Sequence, residues 1–283
     1  MSLRSLLDGP HALAAPGAYD AFSARIIAEA GFPLAYLSGL ANEASDLGYP
    51  DIGFTTASEL VRRAGNLARV LDVPLVCDAD TGFGGPANVI RTVREFEAAG
   101  VSAIHLEDQV FPKRCGVLDG KEVVAMDTFA RTVQTATDAR ESDEFLIIAR
   151  TDAKQTDGVD GVIQRLCSYV EAGADAVMTG DFYTAAEYAE ITRSVSVPLF
   201  ACAADPAHFD VQPNFSLTQW QSLGVKVAVY WYLPLFAASA AVRGAVNGLR
   251  DLGTATLGGT PVDSYHDYAA IVDLCHWLDT TDR

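Results

Sequence analysis

The stretch AAGVSAIHLED, residues 98 to 108, decides the fold because its pattern returns three more times along the chain. EAGFPLAYLSG (29–39), EAGADAVMTGD (171–181) and SLGVKVAVYWY (222–232) each set a glycine after a helical stretch and follow it with a short apolar run. Glycine fits the left-handed position that ends a helix, and an apolar run without polar alternation fits a parallel strand covered on both faces. Four further runs of this type, ALAAPG (12–17), PLVCDAD (74–80), FLIIARTD (145–152) and PLFACAA (198–204), bring the expected strands to eight. Between them, apolar residues recur at helical spacing: Val89, Val93 and Phe96, then Ile163, Cys167 and Val170. Thr56 with Glu59 and Thr184 with Glu187 have the capping-box spacing that opens a helix. Eight strands alternating with helices predict an α/β fold, a (β/α)8 TIM barrel, with an open doubly wound sheet as the alternative.

Length agrees with one such unit. The chain has 283 residues, a barrel takes about 250, and no Pro/Ser-rich or charged linker divides it. Residues 1–283 are therefore expected to form a single barrel domain with a C-terminal helical extension over about 235–283. The apolar run Val227 to Val242 is interrupted by Pro234 and is too short to span a bilayer, so it reads as a buried strand leading into a core helix. With 20 basic and 37 acidic residues the net charge is −17, which repels nucleic acid and anionic lipid; an anionic substrate needs local capture by a metal ion or an arginine. Five widely spaced cysteines without a CxxC pair predict a reduced, cytoplasmic protein, and the N-terminus lacks the apolar core of a signal peptide.

In a barrel, the site forms where strands end. Four expected strand ends carry polar groups: Ser38 and Gly39, Asp78 and Asp80, Glu107 and Asp108, Arg150 and Asp152. Asp78 and Asp80 share one side of an extended chain, and two carboxylates so close call for a cation or proton between them. With Glu107 as a third oxygen donor, the set suits Mg2+ or Mn2+; a solvated acidic turn is the alternative. Arg150 presents a planar fork for a carboxylate or phosphonate, or else pairs with Asp152 or Glu107. In FPKRCGVLDGK (111–121), Lys113 and Arg114 are expected to lower the pKa of Cys115, and Gly116 and Gly120 to let the segment act as a lid. An ordinary surface loop is the competing reading. His105, inside a strand, is expected to be a core or supporting group rather than a ligand.

Taken together, PGAYDAFSARIIAEAGF, YLSG, DLGYPDIGFTT, DADTGFGG, HLEDQVFPKRCG, IARTDA and EAGADAV resemble the isocitrate lyase and phosphoenolpyruvate mutase superfamily, in order and spacing from about Pro16 to Asp175 and more loosely to about Leu249. The KRCG loop is most like the methylisocitrate lyase-type branch. The resemblance implies a (β/α)8 barrel whose last helix is swapped between subunits of a homodimer or homotetramer. It implies Mg2+ held directly by Asp78, with Asp80 and Glu107 acting mainly through water. Ser38, the backbone at Gly39 and Leu40, and Arg150 would grip an α-oxo or α-hydroxy carboxylate. Cys115, flanked by Lys113 and Arg114, would be the acid/base on a mobile loop. The implied reaction is a Mg2+-dependent retro-aldol or Claisen-type cleavage of a small carboxylate to an α-keto acid.

Three departures qualify that expectation. Lyases of this group usually carry a histidine where Val117 stands, often a glutamate where Gly180 stands, and an asparagine where Cys202 stands. Without those groups a second carboxylate would lose about 1–3 kcal/mol per unmade hydrogen bond, so a less acidic distal half is expected. Tyr230, Trp231 and Tyr232 could line that region. Phosphonopyruvate or oxaloacetate chemistry is the second enzymatic reading, and a barrel that binds metal and keto acid without turnover is the third.

Overall fold

A computed structural model describes residues 1–209, 214–255 and 262–281. Eight parallel strands, β1 (Leu13–Ala18), β2 (Ala35–Leu37), β3 (Leu75–Asp78), β4 (Ala103–Glu107), β5 (Leu146–Thr151), β6 (Ala176–Thr179), β7 (Leu199–Cys202) and β8 (Val227–Tyr230), pair in chain order. β8 returns to β1, with Leu13 opposite Val227 and Pro16 opposite Tyr230, so the sheet is a closed barrel and not an open one. Each expected strand is present within a residue or two. The glycine junctions behave as their sequence requires: Gly31, Gly100, Gly173 and Gly224 have φ of 79°, 86°, 102° and 82°, values that only glycine adopts freely.

Side-chain alternation then divides two apolar layers. Ile147 and Ala149 of β5 face the helices, whereas Leu146 and Ile148 face the barrel interior with Val76, Ala103, Ala176, Phe200 and Val229. Leu3 and Leu7 of the first helix, Leu3–Asp8, join the interior layer. The inward register runs on into polar residues at the strand ends: after Val76 comes Asp78, after Ala103 come His105 and Glu107, and after Ile148 comes Arg150.

Around the barrel, the helix Pro86–Ala98 buries Val89, Val93 and Phe96 as expected. Both capping boxes form, Thr56 with Glu59 and Thr184 with Glu187. The helix Lys154–Glu171 turns a different face inward: Val162, Leu166 and Tyr169 are buried, and Ile163, Cys167 and Val170 lie half-buried on its flank. Arg165 explains the rotation, because its guanidinium is drawn inward to Asp108, the Val124 carbonyl and the Tyr169 hydroxyl. A second expectation also fails. The helix after β8, Leu233–Leu252, is not a core helix, since none of its residues is buried. Its apolar residues Leu233, Phe236, Val242, Val246, Leu249 and Leu252 are exposed. Two short helices follow, Tyr265–Ile271 and Leu274–Thr281; within the expected 235–283 extension, residues 256–261 and 282–283 lie outside the described residues. No helix among the described residues is long and apolar enough to cross a membrane.

Candidate active site

The C-terminal ends of β2, β3, β4 and β5 converge on a buried, strongly acidic centre. Asp78, Asp80 and Glu107 are all buried, and so are the cations Lys113 and Arg150. Asp78 reaches the site by strand alternation, but Asp80 does not. β3 ends at Asp78, and Asp80 sits in the left-handed region at φ 46°, its N–H donating to Asp78 Oδ1 at 3.0 Å. A turn therefore aims the second carboxylate, in a backbone conformation that non-glycine residues rarely adopt and that recurs at functional sites.

Electrostatics separate the three acids. Burial opposes ionisation of Asp78, but His105, Lys113 and Arg150 outweigh it and hold its carboxyl down to about 2. Burial raises Asp80 to about 7 despite Lys113, whose Nζ lies 2.9 Å away. Glu107 is pushed well above the usual carboxylate range, chiefly by burial, even with Arg150 Nη1 at 3.2 Å. His105 is fully buried beneath them, with its Nε2 2.5 Å from the Tyr36 hydroxyl and its Nδ1 3.6 Å from Asp78; burial lowers its pKa to about 4, so the ring is neutral. It is the supporting group expected.

These donors fit a hydrated divalent cation. Both Glu107 oxygens are buried and receive no well-directed hydrogen bond, and Asp80 Oδ1 has the Lys113 ammonium beside it, so lone pairs are left that a cation with its water shell would meet. Among the described residues no three His, Cys, Asp or Glu side chains are close enough to cage a metal by themselves.

The Cys115 loop covers this centre. Cys115 N–H donates to the Asp51 carbonyl at 3.1 Å, and Lys113 Nζ bonds the Asp51 carboxylate as well as Asp80. The thiol is buried, and its pKa is raised, not lowered: burial dominates, Asp51 adds to it, and Lys113 only partly compensates. Arg114 does not help, because its side chain is exposed and turns to the Asp119 carbonyl at 3.1 Å. The expectation of a thiolate flanked by two cations is thus corrected to a neutral thiol with one nearby cation, itself committed to carboxylates. Arg114 keeps its side chain outside the site, as does Asp108, which accepts from Thr151, Arg165 and Tyr169.

Ser38, Leu40, Asp78, Cys115, Val117, Arg150, Gly180, Cys202 and Trp231 line one small cavity of about 30 Å3, the room of roughly a single water. Ser38 also caps the short helix Gly39–Asn42, its hydroxyl accepting from Ala41 N–H. Gly39 N–H donates to Asp78 Oδ2 at 3.2 Å, an approach that a side chain at Gly39 would crowd. Arg150 satisfies both of its readings: Nε and Nη2 pair with Asp152 at 2.8 and 3.0 Å, while Nη1 lies between Glu107 and, at 4.0 Å, Asp78. Opposite them, Leu40, Val117, Phe182, Cys202 and Trp231 form a wall without charge. Trp231 faces the cavity as expected; Tyr230 lies outside it, and Tyr232 bonds Asp205 N–H and His208 instead.

Several contributors escaped sequence reasoning. Asp51 lies in the loop after β2, which Glu43 holds by accepting from Ile52 and Thr55 N–H at 3.1 and 2.9 Å. Lys121 and Asp181 meet behind the Cys115 loop. Their partners are distant in sequence, so spacing carries no signal for them.

A family model described as phosphoenolpyruvate phosphomutase matches residues 3–250. The chain belongs to this family. Within it, a probable 2-methylisocitrate lyase 2 of Corynebacterium glutamicum is 41% identical over 255 residues, covering 90% of this chain and 82% of that protein. A 2,3-dimethylmalate lyase of Eubacterium barkeri is 38% identical over 240 residues, covering 85% and 82%. Among solved structures, a phosphonopyruvate hydrolase in complex with oxalate and Mg2+ superposes with a TM-score of 0.88 at 28% identity, covering 99% of this chain and 97% of that one.

Proposed function

We propose that the protein is a Mg2+-dependent carbon–carbon lyase that cleaves, or in reverse forms, a small α-hydroxy carboxylate to give an α-keto acid. The observation that carries this reading is the buried, neutral Cys115 thiol facing Asp78 and Arg150 across one cavity. Cleavage next to a hydroxyl leaves a carbanion that must take up a proton, and a thiol held protonated at neutral pH is in the state to give one. The named activities of the C. glutamicum and E. barkeri relatives are cleavages of this class.

Arg150 is oriented by Asp152 and directs Nη1 to the acid's carboxylate. Ser38 and the backbone at Gly39 and Leu40 complete that grip. Lys113 neutralises Asp51 and Asp80 at the base of the loop. Asp78, with Asp80 and Glu107 through water, would hold Mg2+ or Mn2+, which would supply positive charge for the oxygen on which negative charge develops. The uncharged wall selects a leaving half that carries no more than the one carboxyl its carbanion requires. A cavity of about 30 Å3 cannot hold such an acid, so the 111–121 loop opens to admit it and expels water on closing.

Purified protein incubated with Mg2+ and a panel of substituted malates and citrates tests this: keto acid release from one of them, lost in Cys115→Ser, is the expected result. Release of phosphate from phosphonopyruvate instead would assign the mutase or hydrolase branch.

We further propose a homodimer or homotetramer in which a partner copy covers the helix Leu233–Leu252. Its exposed apolar residues support this, as does an apolar groove of about 780 Å3 beside it lined by Pro16, Ile26, Phe32, Leu233 and Ala237. The proposed compartment is the reducing cytoplasm, where a catalytic thiol persists.

A further inference from the structure

Behind the Cys115 loop lies a charged cluster that meets the proposed chemistry only through Asp152. Lys121 is 3% exposed, and its ammonium reaches three oxygens: the Gly116 carbonyl at 2.6 Å, Asp181 Oδ1 at 2.5 Å and Asp152 Oδ1 at 3.5 Å. An ammonium has three donors, and all three are used. Asp152 is the carboxylate that holds Arg150 by Nε and Nη2. Asp181 is itself fixed from below, Oδ2 accepting from Lys154 N–H at 3.3 Å.

Two glycines let these groups meet. A Cβ on Gly180 would lie 2.5 Å from Asp152 Cγ and 2.6 Å from Arg150 Nε, so the space a side chain would take is filled by the Arg150–Asp152 pair. A Cβ on Gly116 would lie 2.6 Å from the Gly180 carbonyl, so the loop tip closes directly onto that backbone. Lys121 stands at the foot of the same loop, beside the Gln109–Val123 bridge, and Gly116 follows Cys115 at its tip.

We propose that Lys121 is a latch: a positioning residue that holds the Cys115 loop closed through the Gly116 carbonyl and, by the shared carboxylate of Asp152, links closure to the orientation of Arg150. Opening breaks only the bond to Gly116, a neutral acceptor. The ammonium keeps Asp181 and Asp152 when the tip around Gly116 lifts, so Lys121 itself is not left unpaired and the latch can release and reset. Its effect on turnover rests on the lyase reading; the latch itself does not.

Alkylation of Cys115 by iodoacetamide reads loop opening without substrate. The rate is measured on the full chain by peptide mass spectrometry, with exposed Cys275 as the internal reference. The groups that bear on the Cys115 thiol are Asp51, the Val117 N–H and Lys113; losing the Val117 N–H would slow alkylation by raising the thiol's pKa, so a faster rate in a position-121 variant reads exposure. Losing a charge-assisted hydrogen bond predicts that Lys121→Met alkylates at Cys115 at least about tenfold faster, with Cys275 unchanged and Lys121→Arg restoring much of the protection. An unchanged Cys115 rate in Lys121→Met overturns the latch. Should that variant fail to fold, Asp181→Asn decides: a rate raised about threefold or more supports the latch, and an unchanged rate refutes it. Faster alkylation in a protein that turns over no hydroxy acid would leave the latch standing and the lyase reading lost; turnover with unchanged alkylation would do the reverse.

Discussion

Replacing Gly116 with alanine acts first on closure of the Cys115 loop. The position needs no left-handed backbone, so alanine is tolerated there before closure and the effect is steric alone. The added methyl would stand 2.6 Å from the Gly180 carbonyl and 3.1 Å from Arg150 Nη2. An ordinary C···O contact is about 3.3–3.6 Å, so the loop tip must withdraw by roughly 0.7–1 Å. The obstacle is backbone and has no rotamer to swing aside. Misplacing a catalytic group by about 1 Å can cost about 100-fold, or about 2.7 kcal/mol in the barrier. We expect kcat to fall about 30- to 100-fold, KM for the hydroxy acid to change less, and thermal stability to hold within a few degrees, because alanine also restricts the unfolded chain by about 0.4–1 kcal/mol. Continuous detection of the released keto acid gives kcat and KM, and calorimetry gives the melting temperature. A variant with wild-type kcat would refute the idea that chemistry occurs with the loop seated on Gly180.

Cys115→Ser is expected to reduce turnover by at least about 100-fold while retaining binding of oxalate with Mg2+, measured by calorimetric titration. The pH dependence has a definite sign: the thiol acts while protonated, and burial raises its pKa above the ordinary 9.0, so kcat should stay level through pH 9; a fall with a midpoint near 8.5 would contradict the neutral-acid role. Glu43→Ala leaves the Ile52 and Thr55 N–H groups without their acceptor and should lower stability by about 2 kcal/mol in thermal unfolding, loosening the loop that carries Asp51. Val246→Asp with Leu249→Asp should shift the protein toward monomer in light scattering, if the exposed face of the Leu233–Leu252 helix is covered by a partner copy.

The barrel was legible because its signals are local. Gly100 and Gly173 end helices at positive φ, and the apolar runs after them have nowhere to go but a sheet covered on both faces. Asp78, Glu107 and Arg150 were legible for the same reason, since strand alternation continues inward to the last residue. Asp80 was named for the wrong reason: it reaches the site through a left-handed turn that no alternation rule contains. What sequence missed depends on contacts between distant segments. The thiol's pKa is set by burial under the loop and by Asp51, some sixty positions earlier, so the flanking Lys113 and Arg114 gave the wrong sign. The inward face of the Lys154–Glu171 helix shifts because Arg165 finds buried partners at Asp108 and Tyr169. Gly180 looked like a simple loss; with the fold in view, its missing side chain makes room for Asp152 and Arg150, while the adjacent Asp181 meets Lys121.

The most direct test of the central claim is an assay of keto acid release from a panel of substituted malates by purified protein, with Mg2+ and again after chelation, in wild type and Cys115→Ser. The account predicts Mg2+-dependent release of an α-keto acid from at least one member, lost on chelation and in the serine variant. Release that is equally fast in Cys115→Ser, or no carbon–carbon cleavage alongside phosphate release from phosphonopyruvate, would contradict it.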